Sequence, residues 1–232
     1  MKFDNLEVIE INPRKGSPNM CVILLHGLGG NAEHLSPVAH VWRLKKNIRP
    51  RWVLPQAPDC PVTINNGQIM PAWYDIISID YEHKIDYASF QSTFVQLTAL
   101  IEQQVTTGIP AQNILLAGFS QGGAVALEMM LHYPKRLAGV VSLSGYLLNK
   151  EKVKDTTLPH HVKQTPIFYA HGEKDIVVPF PLAVASKELL LANNFNLTWR
   201  SYPKMGHFVN NREILEIKKW VDDTILTADF II

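Results

Sequence analysis

Disulfide scaffolding, structural zinc and dithiol redox chemistry are poorly supplied in this chain, which has two cysteines, Cys21 and Cys60, and no Cys-x-x-Cys pair. Cys21 lies in an apolar run and reads as core, whereas Cys60, between Asp59 and Pro61, reads as exposed. Neither sign of charge dominates. Twenty-two Lys+Arg against 21 Asp+Glu leave +1, and charged residues make up 19% of the chain, below the typical value of roughly 25%. That balance argues against a disordered polyelectrolyte, a nucleic-acid-binding surface or an acidic tail. No apolar run approaches the ~18 residues of a membrane span. The opening MKFDNLEVIE has acidic residues where a secretory signal needs an unbroken apolar stretch. The expectation is a reduced, cytoplasmic protein with no nucleic-acid partner and no stable membrane insertion.

What is present is core-forming material. Hydrophobic residues are 47% of 232, and at about 150 residues per domain the length suits one α/β domain spanning 1–232. Short β-type runs alternate with helix-type segments, which predicts a doubly wound, mainly parallel sheet with helices on both faces. Strands are predicted at Leu6–Ile11, Met20–Leu25, Arg51–Leu54, Ile114–Phe119, Leu137–Leu143, Pro166–Ala170 and Leu197–Tyr202. Helices are predicted over Asn31–Lys46 with an interruption at Pro37, then Ala88–Thr107, Gly122–Tyr133, Pro179–Ala192 and Arg212–Leu226. From Pro55 to Tyr87, four prolines and Asn65-Asn66-Gly67 break the pattern, so this segment is expected to be an irregular excursion. It is too apolar for a solvated linker, with Ile69, Met70, Trp73, Tyr74, Ile76 and Ile77, and so should pack over something.

The strongest chemical signal is Gly118-Phe119-Ser120-Gln121-Gly122. By composition alone such a Gly-x-Ser-x-Gly match arises roughly once in twenty chains of this size. Its position between a predicted strand and a predicted helix is where a nucleophile elbow belongs. The bland alternative is a Gly-rich turn with an N-cap serine. A serine nucleophile needs a base oriented by an acid, and in this architecture the chain order is Ser, acid, His. Downstream, His171-Gly172-Glu173-Lys174-Asp175 is read as a loop leaving a strand, with Asp175 as the acid and Glu173 its rival. His207 is the one histidine beyond Asp175. An oxyanion hole needs two N–H donors. Gln121 offers one, and Leu28, in His26-Gly27-Leu28-Gly29-Gly30, offers the other, with His26 read as structural.

Two other readings compete. Gly27 to Ala32 satisfies G-x-G-x-x-A, and Arg49 and Arg51 could receive a 2′-phosphate, which would make the protein an NADP-dependent oxidoreductase. That leaves Ser120, Asp175 and His207 unexplained. The second alternative is a catalytically idle hydrolase fold serving as a binding module. His34, His40 and His160-His161 lack metal-ligand spacing with acidic or thiol partners, so no metal site is expected.

Together, Leu25-His26-Gly27-Leu28-Gly29, Pro71-Ala72-Trp73-Tyr74-Asp75, Gly118 to Gly123, His171 to Asp175 with Val177-Val178-Pro179, and Gly206-His207 resemble the acyl-protein thioesterase/phospholipase-carboxylesterase family of α/β-hydrolases. The resemblance covers nearly the whole chain. Gly30-Asn31 departs from it, since many members carry an acidic residue after the glycines. It implies an α/β-hydrolase fold, Ser120, Asp175 and His207 as a catalytic triad, and Leu28 and Gln121 as oxyanion donors. It also implies hydrolysis of an acyl ester or thioester, lysophospholipids and S-acylated proteins included, without a metal or organic cofactor. Leu28, Ile69, Met70, Trp73, Phe180 and Phe208 lie on or beside segments placed near Ser120, and several of them are expected to form an apolar acyl groove. A homodimer is compatible with the sequence.

Overall fold

A computed structural model describes residues 6–225 except 43, 46 and 80–83, with the side chain of His40 also left aside. The first three strands are β1 (Val8–Ile11), β2 (Met20–Leu25) and β3 (Pro50–Pro55). Two hairpins follow, β4 (Asp59–Val62) with β5 (Gln68–Pro71), and β6 (Ile76–Ser78) with β7 (Lys84–Ile85). The remaining strands are β8 (Ile114–Phe119), β9 (Gly139–Leu143), β10 (Ile167–Gly172) and β11 (Leu197–Tyr202). The helices are α1 (Ser36–Val41), α2 (Tyr87–Thr106), α3 (Gln121–His132), α4 (Lys150–Lys154), α5 (His160–Gln164), α6 (Phe180–Ala192) and α7 (Asn211–Trp220).

Seven strands form one sheet in the order β1-β3-β2-β8-β9-β10-β11, parallel throughout except for β1, which runs antiparallel to β3. Strand β2 shows why the sheet is covered twice. All six of its residues are buried, as a strand enclosed on both faces requires. Cys21, Ile23 and Leu25 enter one core with Phe90 and Leu97 of α2 and Val125 and Met129 of α3. Met20, Val22 and Leu24 alternate into a second core with Ile217 and Trp220 of α7. No helix among the described residues is long and apolar enough to cross a membrane.

Several expectations change. The 55–87 segment is not irregular: Asn66 (φ 56°) and Gly67 (φ 74°) supply the left-handed residues that reverse the chain between β4 and β5. Pro61 and Pro71 sit on the β4–β5 hairpin, where a missing N–H breaks no ladder of the main sheet, while Pro55 ends β3 and Pro58 lies between β3 and β4. Residues 80–83 lie outside the described part of this segment. The long helix expected over 31–46 is a 3₁₀ turn (Glu33–Leu35) and the short α1. Pro37 stands in α1's first turn, where its missing N–H costs nothing, so it starts that helix rather than interrupting one; Lys46 is outside the described residues. Strand β10 runs on through His171-Gly172, so those two residues are strand and not loop. Helices α4 and α5, five residues each, are too short to display a 3.6-residue period. The last helix gives way to a π turn at Val221–Ile225, and Leu226 is not described.

Glu213 is an uncommon element of this core. It lies in the first turn of α7, its N–H donating to the Asn210 cap at 2.9 Å, yet its carboxyl group is buried. Neither carboxyl oxygen meets a hydrogen-bond donor among the described residues. Burial pushes its pKa up from 4.5 to about 7. A carboxyl that holds its proton more tightly when folded favours the fold fully below pH 4.5 and opposes it increasingly as pH rises through 7. Glu213→Gln should therefore raise stability at pH 8 by about 3 kcal/mol, and by under about 1 kcal/mol at pH 5. Thermal melts at the two pH values check this; a gain equal at both, or a loss at pH 8, contradicts it.

Candidate active site

Parallel strands present their C-terminal ends along one edge, and the chain leaves β2 toward β3 but β8 toward β9, so the winding reverses between β2 and β8. A crevice opens at such a switch point. At its floor Ser120 makes the turn between β8 and α3 alone, with φ 55° and ψ −119°. Its N–H donates to Leu143 O at 2.7 Å. The flanking glycines are required by close approach. A Cβ at Gly118 would lie 2.2 Å from Gly122 O, and one at Gly122 would lie 2.4 Å from Leu25 O. Larger residues would force α3 away from the sheet.

The three residues anticipated as a triad meet here. His207 Nε2 stands 2.9 Å from Ser120 Oγ, and His207 Nδ1 stands 2.7 Å from Asp175 Oδ2. With Nδ1–H donating to the carboxylate, the Nε2 lone pair accepts the serine hydroxyl. The loops after β10 and β11 are joined by backbone bonds, Glu173 N–H to Tyr202 O at 3.0 Å and Lys174 N–H to Met205 O at 2.9 Å. These bonds bring residues 175 and 207 together although 32 positions separate them in the chain. The Asp175 side chain is buried, and its Oδ1 accepts the N–H groups of Val177 and Val178, both at 2.9 Å. Glu173, the rival acid, instead accepts the Ser201 hydroxyl at 2.8 Å.

Leu28 and Gln121 both line the cleft beside Ser120. Neighbouring amides of the 27–30 turn are engaged, Gly29 N–H with Pro71 O and Gly30 N–H with Gly27 O. The amides of Leu28 and Gln121 donate to no acceptor among the described residues, and that of Gln121 opens helix α3. The buried His26 braces this turn. Its Nε2 accepts Ala57 N–H at 3.0 Å and its Nδ1–H donates to Gly27 O at 2.7 Å. Burial lowers its pKa, keeping the ring neutral.

The cleft measures about 310 Å³, and its apolar lining includes Leu28, Ile76, Ile79, Phe119, Tyr146, Val177 and Val178. Of the six residues expected to contribute to an acyl groove, Leu28 is among its lining residues and Ile69, Met70, Trp73, Phe180 and Phe208 are not. Trp73 is buried, its indole N–H donating to His26 O at 2.8 Å, so it supports the turn from behind. Phe180 packs against His171 and Trp199. Phe208 is half exposed over a separate depression with Tyr202 and Arg212. Ile69 points to solvent, and Met70 lies near the rim, where its Sδ faces Gly29 and accepts Asn65 Nδ2–H. The sequence did hold a signal for the residues missed: Tyr146, Val177 and Val178 all follow C-terminal ends of parallel strands, the edge where ligands bind in such sheets.

The dinucleotide reading fails on register. Arg51 pairs with Cys21 near the start of β2, at the opposite end of that strand from Gly27, and its guanidinium donates to Asn12, Gln104 and Thr107. Arg49 donates to Ser17 O.

Residues 6–225 match the model of the phospholipase/carboxylesterase family. The chain belongs to that family. It is accordingly an ester-bond hydrolase of the α/β-hydrolase fold. Acyl-protein thioesterase 1 of Schizosaccharomyces pombe is 37% identical over 222 residues, covering 95% of this chain and 97% of the relative. Acyl-protein thioesterase 1 of Neurospora crassa is 35% identical over 211 residues, covering 88% of this chain and 86% of the relative. Among solved structures, Arabidopsis thaliana SOBER1 superimposes with a TM-score of 0.81 at 31% identity, covering 87% of this chain and 97% of that one.

In this member of the family, Gln121 ties the hairpin region to the elbow. Its buried carboxamide accepts Trp73 N–H at 2.9 Å and donates to Tyr74 O at 2.8 Å. Gln121→Ala would strand both backbone groups at about 1–3 kcal/mol each. A fall in Tm of roughly 4–24 °C is expected, from about 2–4 °C per kcal/mol at this size. A Tm within 2 °C of wild type, measured by calorimetry, would show that this bridge is dispensable.

Proposed function

We propose that this hydrolase is a serine esterase or thioesterase that releases acyl chains through an acyl-enzyme, with Ser120 as nucleophile, His207 as general base and acid, and Asp175 as orienting acid. The observation that carries this reading is the continuous contact from Ser120 Oγ to His207 Nε2 and from His207 Nδ1 to Asp175 Oδ2. Attack of Oγ on the acyl carbonyl passes its proton to Nε2, and Asp175 stabilises the imidazolium. The amides of Leu28 and Gln121 receive the oxyanion, and each such donor contributes roughly 10²–10³ in rate. His207 then protonates the departing alcohol or thiol. Water repeats the sequence and frees the acid. One domain carries every group required.

Substrates of this reading are oxygen esters and thioesters of acyl chains, the lysophospholipid and S-acyl protein classes among them, in keeping with relatives named carboxylesterase and acyl-protein thioesterase. The acyl chain lies along Leu28, Ile76, Ile79, Tyr146, Val177 and Val178, which keeps Leu28 from the residues first expected and replaces the other five. Each methylene buried there contributes about 0.8 kcal/mol, close to fourfold in kcat/KM.

Two outcomes follow. Wild-type enzyme mixed with p-nitrophenyl butanoate should give a burst of nitrophenol near one equivalent per chain, and Ser120→Ala should give neither burst nor turnover while keeping its Tm. A Ser120→Ala protein that retains the burst overturns the assignment. Across p-nitrophenyl esters from acetyl upward, kcat/KM should climb about fourfold per methylene until the cleft is full. A flat series would remove the acyl site from this cleft.

A further inference from the structure

The carboxylate of Asp175 is flanked by two imidazoles. His207 Nδ1 lies 2.7 Å from Oδ2, and His171 Nε2 lies 3.3 Å from the same oxygen. His171 is completely buried at the end of β10, four residues before the acid. Its Nε2 is also 3.0 Å from Val178 O. Both close neighbours of Nε2 are thus acceptor oxygens, which puts the ring proton on that nitrogen. The other nitrogen, Nδ1, is buried and meets no hydrogen-bond partner among the described residues. A second proton there would face an unpartnered site, so the ring is fixed as neutral imidazole in one tautomer. Burial lowers its pKa in the same sense. The charges it senses are those of Asp175 and His207, and the nearby Glu173 carboxylate is engaged with Ser201.

Resting on the triad reading above, we infer that His171 is a positioning residue for hydrolysis. Its Nε2–H closes the turn that presents Asp175 and sets how strongly that carboxylate polarises His207. Two effects are distinct. The bond to Val178 O holds the carbonyl of the residue whose N–H binds Asp175 Oδ1 at 2.9 Å, so the ring fixes the carboxylate plane from behind. The N–H dipole beside Oδ2 draws negative charge from the oxygen that accepts His207 Nδ1–H. Removing it leaves a more basic carboxylate, a more stable imidazolium and a higher pKa for the base. Phe180 packs beside the ring, with centroids 6.1 Å apart.

The test compares His171→Phe, which fills the volume without an N–H, with His171→Gln, whose Nε2 can donate from nearly the same place. Rates per active site come from the nitrophenol burst, so misfolded protein is not counted. For His171→Phe, kcat should fall about tenfold with KM within about twofold, and the acidic limb of kcat/KM should move up by about half a pH unit. His171→Gln should restore both to near wild type. A His171→Phe limb at the wild-type pH, or His171→Gln as impaired as His171→Phe, overturns the inference, since a purely structural ring would change only the active fraction. If His171→Phe yields no folded protein, the limb and kcat of His171→Gln against His171→Leu decide in the same way. Failure of the triad reading would be separate and visible first, as a wild-type enzyme without a burst.

Discussion

Ser120 sits at a positive φ, a backbone state that costs a non-glycine residue of order 1–3 kcal/mol and persists only where its surroundings over-determine it. Here the surroundings do so. Leu143 O holds the Ser120 N–H, Ser120 O accepts Ala124 N–H at 3.1 Å, and β2 presses its carbonyls onto Gly122. The strain lifts the hydroxyl out of the line of both strand and helix, toward the crevice. It also places the first free amide of α3 beside that hydroxyl. The roles proposed for His207, Leu28 and the cleft walls all depend on this one residue being held where it is.

The second constraint is electrostatic. A buried carboxylate is tolerated only when its oxygens are well served. Asp175 receives two backbone N–H groups on Oδ1 and two imidazoles near Oδ2, with no Lys or Arg among the described residues paired to it. In the proposed mechanism that arrangement would serve a carboxylate beneath His207 in a site sheltered from water, where a charge acts most strongly. Glu213 is the contrast. It is a buried carboxyl whose oxygens meet no donor within hydrogen-bond geometry among the described residues, and burial raises its pKa.

Much of this was legible before any coordinates. Apolar runs marked β2 and β8 to the residue, because strands buried on both faces need unbroken apolar stretches; the half-buried edge strand β11 was bounded by its place in the strand–helix alternation. Ser120, Asp175 and His207, which the structure brings into contact, could be singled out as candidates because a triad demands particular residue types in a particular chain order. The walls of the cleft were less readable. Trp73 and Phe180 are near Ser120 in the folding pattern, but which way an aromatic ring faces depends on packing partners far away in sequence, such as His26 and Trp199. The 59–71 hairpin was hidden for another reason: its prolines and Asn66-Gly67 read as disruption, although the same residues make a tight reversal between short strands.

The account rests on Ser120 Oγ being a nucleophile activated by its contact with His207. The direct measurement is peptide mass spectrometry after incubation with a fluorophosphonate, with activity followed in the same samples. The account predicts one adduct per chain, located on Ser120, accumulating in step with the loss of hydrolysis. Complete inactivation with Ser120 unmodified, or undiminished hydrolysis once Ser120 is fully labelled, would contradict it.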